Sequence, residues 1–265
     1  MSKRTDAIVE WLRERLNHSG ARGLAFGLSG GVDSAVVARL CQAAAPANVV
    51  GIVMPSHSDP RDEADAMLVA GHFQIPTVRV DLGPTYDVCT TALRAAMTTL
   101  PPEQFPDAAH GTEDLKAKVP LANVKPRLRM TTLYYVANTL NYLVAGTGNR
   151  SELSIGYFTK YGDGGVDLLP IGELLKSEVR AAAKDLGVPD PIIEKAPSAG
   201  LWSDQTDEGE MGFTYDVLEK YLDKGAESVS PALAMRIERL IRTSEHKRAV
   251  APTPGARDEQ DGPSA

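Results

Sequence analysis

Apolar residues along the chain follow two patterns, helical spacing and short continuous runs. Ile8, Val9, Leu12 and Leu16 recur at helical spacing within residues 5–18, which predicts a first helix. Four short, largely apolar segments predict strands over residues 23–28, 49–54, 76–81 and 142–145. Further helices are predicted over residues 34–45, 61–73, 86–98, 121–140, 172–186, 213–223 and 229–244.

This alternation of strands and helices predicts an α/β fold, an open parallel sheet with helices on both faces. Such sheets bind ligands in the crevice beyond the carboxyl ends of their strands. No repeat or linker divides the chain, so we expect a single domain over residues 1–248. Residues 99–119 hold three prolines and predict a mobile connection, while the Pro-, Gly- and charge-rich residues 249–265 predict a disordered tail.

Composition argues against nucleic-acid-binding, membrane-spanning and disulfide-rich secreted proteins. The 265 residues carry 28 Lys and Arg against 35 Asp and Glu, a net charge of −7, so no broad basic surface for nucleic acid is expected. No apolar run approaches the ~20 residues of a membrane span, and residues 1–10 hold no signal-like apolar core. Two cysteines, Cys41 and Cys89, make no disulfide framework. We therefore expect a soluble cytoplasmic enzyme without a nucleic-acid or membrane partner.

A first chemical motif, LSGGVDS, lies at residues 28–34 between a predicted strand and a predicted helix. Its glycines permit a tight turn with converging backbone N–H groups, and the helix adds the positive end of its dipole. Ser29 and Ser34 can donate hydroxyl hydrogen bonds to a bound phosphate. Asp33 fits such a cradle if Mg²⁺ links it to the phosphates. The alternative is a plain glycine turn in which Asp33 or Ser34 caps the helix.

The second motif is the glycine-rich stretch 146–172, GTGNRSELSIGYFTKYGDGGVDLLPIG. Seven glycines in these 27 residues argue against a helix or a plain strand. Charged residues alternate with aliphatic and aromatic residues, which indicates a packed loop rather than a solvated one. Lys176, in the next predicted helix, is either a surface lysine or a group that reaches into the same pocket.

The first motif resembles the pyrophosphate loop of the N-type ATP pyrophosphatases, and the second resembles the signature of the NAD synthetase family. GTGNRSE, GYFTKYGDGGVD, PSAGLW and EHKR all match that family, above all its short ammonia-using form. The resemblance runs from about residue 8 to residue 248 and implies the Rossmann-like adenine nucleotide alpha hydrolase fold. It also implies the last step of NAD biosynthesis, in which deamido-NAD, ATP and ammonia give NAD, AMP and pyrophosphate through an adenylated carboxylate.

Position by position, the resemblance implies specific roles. ATP would be bound by Ser29, Gly30, Gly31, Val32, Asp33, Ser34, Thr147, Lys176 and Ser198. Mg²⁺ would be held by Asp33 and Glu152. Deamido-NAD would be contacted by Arg127, Lys160, Asp167, His246 and Lys247. Asp33, Lys176 and Asp163 are the candidate catalytic residues, with Asp163 or Asp167 accepting a proton from ammonium. The family forms a homodimer, for which helix 121–140 is a candidate interface.

Alternatives remain at several positions. Arg127 can be a solvated helix charge, and His246 and Lys247 can belong to a cluster favoured by a helix dipole. Asp163 can simply stabilise an Asp-Gly turn. For the whole chain, the alternatives are a paralogue that amidates another carboxylic acid, a tRNA-modifying ATP pyrophosphatase and a nucleotide sensor without chemistry. Free ammonia, or ammonia from a separate amidase, is expected as the nitrogen source, because the chain has no room for a glutamine amidase domain.

Overall fold

A parallel four-stranded sheet organises the molecule, with its strands in the order β3-β2-β1-β4. The computed structural model describes residues 2–106, 115–197 and 206–254, with the backbone alone for residues 115–117. The strands are β1 (Gly23–Gly27), β2 (Val49–Val53), β3 (Thr77–Arg79) and β4 (Tyr142–Val144). The chain therefore builds outward from β1 to β3 and then returns to the other side of β1. Ligands in open parallel sheets bind at such a reversal of strand order, here between β1 and β4.

Helices cover both faces of the sheet, which confirms the predicted fold class. In chain order they are α1 (Lys3–Ser19), α2 (Val32–Ala44), α3 (Pro60–Phe73), α4 (Gly83–Met97), α5 (Leu115–Ala122), α6 (Val124–Leu140), α7 (Arg150–Ile155), α8 (Lys176–Asp185), α9 (Asp190–Glu194), α10 (Asp207–Met211), α11 (Tyr215–Lys224), α12 (Pro231–Thr243) and α13 (Glu245–Arg248). Among the described residues, none of these helices is long and apolar enough to cross a membrane.

Alternate side chains of β1 enter different cores because successive residues of a strand face opposite ways. Leu24 and Phe26 pack on the face covered by α1, α2, α3 and α8, and Ala25 packs on the face covered by α6. A third apolar cluster lies among α7, α10, α11 and α12 and includes Ile155, Tyr215 and Ile237. This third cluster supports one wall of the crevice described below.

The single helix predicted over residues 121–140 is two helices, α5 and α6, with a break at Asn123. Pro126 explains the break, because it has no N–H to donate to the carbonyl of Ala122 four residues earlier. The connection predicted over residues 99–119 is likewise not uniform. It contains the first residues of α5, whereas residues 107–114 lie outside the described chain.

The glycine-rich stretch 146–172 contains one helix, α7, contrary to the prediction. Residues 150–155 (RSELSI) contain no glycine, so the glycine content of the longer stretch did not apply to this segment and the prediction against a helix was wrong here. Asn149 caps the helix by accepting from the Glu152 N–H at 3.0 Å, and the Glu152 carboxylate accepts from the Asn149 N–H at 3.3 Å. This reciprocal capping is a strong local helix signal. It also fixes the backbone of Glu152.

Candidate active site

The turn that follows β1 lies where the strand order reverses. Ser29, Gly30 and Gly31 lead into α2, whose amino-terminal N–H groups face the crevice. Ser34 stabilises the turn: its Oγ donates to the Gly31 carbonyl at 2.9 Å and accepts from Ser29 Oγ at 3.1 Å. Gly30 has a φ of +78°, and a Cβ there would lie 2.5 Å from the Asp62 carbonyl oxygen. The loop therefore packs directly on α3, and only glycine fits this position.

A buried ammonium joins the two predicted motifs. Lys176, the first residue of α8, has only 3% of its surface exposed, and its Nζ lies 2.5 Å from Asp33 Oδ2 and 3.2 Å from Glu152 Oε1. Asn149 donates from Nδ2 to Asp33 Oδ1 at 2.9 Å. Asp33 comes from the first motif, whereas Asn149 and Glu152 come from the second. The structure thus brings both glycine-dense stretches to one charged centre, as the sequence predicts.

The charges of this centre depend on one another. Burial raises the pKa of Glu152 to about 7, against the effect of the Lys176 ammonium and with a contribution from the carboxylates of Asp33 and Asp207. Burial opposes the charged form of Lys176 as well, but the Asp33 and Glu152 carboxylates raise its pKa above the usual value. Lys176 is therefore a firmly protonated cation, whereas Glu152 is poised to change charge when its surroundings change.

A tyrosine–carboxylate network adjoins the centre, and the sequence motifs did not indicate it. Tyr215 OH donates to Asp207 Oδ2 at 2.9 Å and lies 3.3 Å from Glu152 Oε1, while Lys176 Nζ lies 5.1 Å from the centre of the Tyr215 ring. Tyr157 OH lies 3.2 Å from Asp207 Oδ1 and 2.5 Å from Glu210 Oε2. These residues belong to α7, α10 and α11 and the loop after α7, so only the packing of the third apolar cluster brings them to the site.

A cavity of about 490 Å³ opens in front of the charged centre. The predicted site residues that line it are Ser29, Gly31, Val32, Asp33, Ser34, Thr147, Glu152, Asp163, Lys176 and Lys247. Apolar side chains line it as well, among them Ile52, Met54 and Leu133, with the Arg129 guanidinium. Arg129 donates to the Met54 carbonyl and to Ser58 Oγ, each at 3.2 Å. The cavity lining therefore combines charged and apolar side chains.

Five of the predicted residues that the structure describes do not line this cavity: Gly30, Arg127, Lys160, Asp167 and His246. Three of them lie near one another, because Arg127 Nη2 donates to the Lys160 carbonyl at 3.4 Å and the Lys160 ammonium bonds the His246 carbonyl. Asp167 accepts from Tyr134 OH at 2.9 Å and from the Val144 N–H at 2.8 Å. These residues border the crevice without entering it, and Ser198 lies outside the described residues.

Lys247 and Asp163 have defined partners in this structure. Lys247 Nζ donates to the carbonyls of Gly156 and Phe158, each at 2.7 Å, and lies 5.4 Å from the centre of the Phe158 ring. Asp163 Oδ1 accepts from the Thr159 N–H at 2.9 Å. Both side chains therefore order the loop after α7 as well as lining the cavity.

Asp33 and Glu152 are the residues that could hold a cation in the cavity. The described residues contain no group of three or more His, Cys, Asp or Glu side chains arranged around a metal position. Two carboxylates on one ammonium nevertheless suit Mg²⁺, which commonly binds one or two protein carboxylates and takes its remaining ligands from phosphates and water. The donor set therefore fits a magnesium ion that arrives with a nucleotide.

A family model and a curated relative both match nearly the whole chain. The family model for NAD synthase matches residues 4–251. The NH(3)-dependent NAD(+) synthetase of Carboxydothermus hydrogenoformans is 52% identical over 252 residues, which cover 95% of this chain and 97% of that protein.

Two solved structures are similar over nearly the whole chain. The NMN synthetase of Francisella tularensis superposes with a TM-score of 0.84 at 35% identity, covering 96% of this chain and 98% of that one. The NH3-dependent NAD synthetase of Campylobacter jejuni, in complex with nitrate, superposes with a TM-score of 0.73 at 28% identity, covering 96% and 99%. The match of the family model and the near-complete overlap with these relatives confirm the resemblance found in the sequence motifs, and the chain belongs to the NAD synthase family.

Proposed function

We propose that this protein is an enzyme that amidates the nicotinate carboxylate of deamido-NAD with ammonia, using ATP, to give NAD, AMP and pyrophosphate. The observation that carries the proposal is the buried contact of Lys176 with Asp33 and Glu152 beside the phosphate loop. It lies in the crevice where open parallel sheets bind nucleotides, in a chain of the NAD synthase family.

The chemistry requires activation of the acid. A carboxylate resists attack by ammonia because oxide is a poor leaving group, and adenylation replaces it with AMP. As the carboxylate attacks the α-phosphorus, negative charge grows on the phosphoryl oxygens and on the departing pyrophosphate. The N–H groups of Gly30 and Gly31, the hydroxyls of Ser29 and Ser34 and the Lys176 ammonium would stabilise this charge. Thr147 and Ser198 complete the proposed ATP contacts.

Asp33 and Glu152 would hold Mg²⁺ together with the phosphates. When bound, the ion would neutralise part of the triphosphate charge and polarise the phosphoryl group. Lys176 and Asn149 hold the Asp33 carboxylate in position, and the α7 cap holds the Glu152 carboxylate. The protein thereby presents a preformed pair of acids to the incoming nucleotide.

Asp163 is the better supported of the two candidate proton acceptors for ammonium. Its carboxylate lines the cavity, and one of its oxygens accepts a backbone N–H. Asp167 lies outside the lining, and its two oxygens are engaged by Tyr134 and Val144. We assign Asp163 the role of accepting the proton before ammonia attacks the acyl adenylate.

Deamido-NAD would bind along the border of the cavity, through Arg127, Lys160, Asp167, His246 and Lys247. Four of these lie outside the cavity itself, which suits a second subunit completing the site. Large apolar side chains on α4 and α6 are exposed, including Val88, Leu93, Met97, Tyr135 and Leu140. A C₂ homodimer formed through these helices would create two equal sites. We place the enzyme in the cytoplasm.

The NMN synthetase among the similar structures favours a second candidate substrate. NMN has the same nicotinamide group as NAD but lacks the adenylate half. The second candidate reaction is therefore amidation of nicotinate mononucleotide at the same ATP site. The two substrates differ only in the adenylate half, which the mononucleotide lacks.

A product assay tests the proposal and separates the two candidates. The purified protein would receive ATP, Mg²⁺ and ammonium with deamido-NAD, with nicotinate mononucleotide or with neither acid. We expect AMP and pyrophosphate in equal amounts with NAD from deamido-NAD, and no comparable turnover with glutamine in place of ammonium. Faster turnover of nicotinate mononucleotide would favour the second candidate reaction over the first. AMP release in the absence of either acid would contradict both candidate reactions.

A further inference from the structure

Lys195 forms a second charged contact in the lining of the cavity. It follows α9 directly, and its Nζ lies 2.8 Å from Asp62 Oδ1 and 2.5 Å from Asp65 Oδ2. The two aspartates lie three residues apart on α3, so they project from one face of that helix. The side chains of Lys195, Asp62 and Asp65 are 29%, 30% and 28% exposed, respectively.

The same turn of α3 supports the phosphate loop. A Cβ on Gly30 would lie 2.5 Å from the Asp62 carbonyl, 2.7 Å from Asp65 Cβ and 3.0 Å from the Ala66 nitrogen. No side chain separates the loop from the helix at this point, so the loop follows any displacement of the turn. Both Asp62 and Lys195 also line the cavity.

The charges at this turn oppose the binding of a polyanion. Asp62 and Asp65 place two carboxylates on the α3 turn that contacts the proposed phosphate loop. Negative charges next to a polyanion site disfavour binding, and partial burial limits the screening by water. Lys195 supplies the compensating charge, and its hydrogen bonds with the two carboxylates raise its pKa even though burial opposes its charged form.

We propose that Lys195 is a positioning residue for ATP. It cancels the charge of Asp62 and Asp65 on the α3 turn that supports the phosphate loop, so that the triphosphate meets the loop without repulsion. The inference rests on the proposed use of ATP at this site and adds a residue that lies outside both sequence motifs.

The test measures ATP affinity by isothermal titration calorimetry in the full-length protein, with Mg²⁺ present. Lys195→Met should weaken ATP binding roughly 10- to 100-fold, and the loss should shrink at high salt. The triple variant Lys195→Met/Asp62→Asn/Asp65→Asn should recover most of the affinity, because the uncompensated charges are gone. Asp62→Asn/Asp65→Asn with Lys195 intact should bind ATP at least as tightly as the wild type.

Arg13→Met provides the matched control. Arg13 is also a partly exposed cation that ties two elements together, since it donates from α1 to the Ala43 carbonyl of α2 at 2.9 Å. It does not line the cavity, so its loss should leave ATP affinity within about twofold of the wild type. Lys195→Arg should retain most of the affinity, because it keeps the charge.

The outcomes separate the inference from the proposed function. Restoration of affinity in the triple variant supports the charge-cancelling role. Unchanged affinity in Lys195→Met overturns the inference, and so does a loss that the aspartate changes fail to restore. The proposed function stands in either case if the wild type forms NAD, whereas a wild type that neither binds ATP nor forms NAD defeats the proposed function itself.

Discussion

Replacing Gly30 with alanine tests whether the phosphate loop is fixed by its contact with α3. Gly30 has a φ of +78°, a conformation that costs an L-residue ~1–2 kcal/mol. The added Cβ would also lie 2.5 Å from the Asp62 carbonyl oxygen, against an ordinary contact limit of 3.4 Å. The loop and the helix must therefore separate by about 0.9 Å at this contact.

A displacement of this size at a reacting group typically lowers the rate about 100-fold, or ~2.7 kcal/mol in activation free energy. We expect Gly30→Ala to lower kcat/KM by that factor and to weaken ATP binding. Gly20→Ala is the matched control, because Gly20 has a similar φ of +70° but nothing within 4 Å of an added Cβ.

The assays are urea unfolding, ATP titration calorimetry and steady-state kinetics on both variants. Gly20→Ala should lose ~1 kcal/mol of stability and keep wild-type kinetics, because it introduces the backbone strain without the overlap. Gly30→Ala should lose more stability as well as activity. If both variants show the same kinetics, the loop is not positioned by α3 and the reasoning fails.

Three further predictions concern a buried carboxylate, a buried tyrosine and the two cysteines. Because burial raises the pKa of Glu152 to about 7, the folded protein loses stability from this group as pH rises from about 4.5 through 7. Between pH 5 and pH 8 the free energy of unfolding of Glu152→Gln should therefore rise by ~2 kcal/mol relative to that of the wild type, measured by urea unfolding without metal. A difference between the two proteins that stays constant with pH would contradict this. Tyr215→Phe should lower the free energy of unfolding by ~1–2 kcal/mol in the same assay, because the buried Asp207 carboxylate loses a hydrogen-bond donor. Tyr221→Phe, which removes an exposed hydroxyl contact, should change it little. Equal effects of the two variants would contradict the importance of the buried network. Half-buried Cys89 should react with iodoacetamide in the native protein, whereas burial raises the pKa of the Cys41 thiol and protects it, so that labelling of both at equal rates would contradict the structure.

Local sequence patterns were sufficient to predict the sheet and the pairing of the two motifs. The strands were predicted within a few residues of their observed bounds, because short apolar runs flanked by turn residues have few other structures available. The two glycine-rich stretches each follow a predicted parallel strand, and residues after parallel strands share one edge of the sheet. The specific pairing of Asp33 with Glu152 was implied by the family resemblance.

Other features depend on tertiary packing and could not be predicted. Asp207 and Tyr215 lie far from both motifs in the sequence and reach the site only through the helices that carry them. Lys195 likewise meets Asp62 across 133 residues. The helix α7 was missed for a different reason, because its capping pair, Asn149 and Glu152, was present in the sequence but masked by the surrounding glycines.

Oxygen-isotope transfer tests the central claim, that this site activates a carboxylate by adenylation. Deamido-NAD labelled with ¹⁸O in its carboxylate would be converted by the wild-type protein with ATP, Mg²⁺ and ammonium, and the products analysed by mass spectrometry. The account predicts one ¹⁸O in the phosphate of each AMP and none in pyrophosphate. Label found in pyrophosphate, or absent from AMP while NAD is formed, would contradict it.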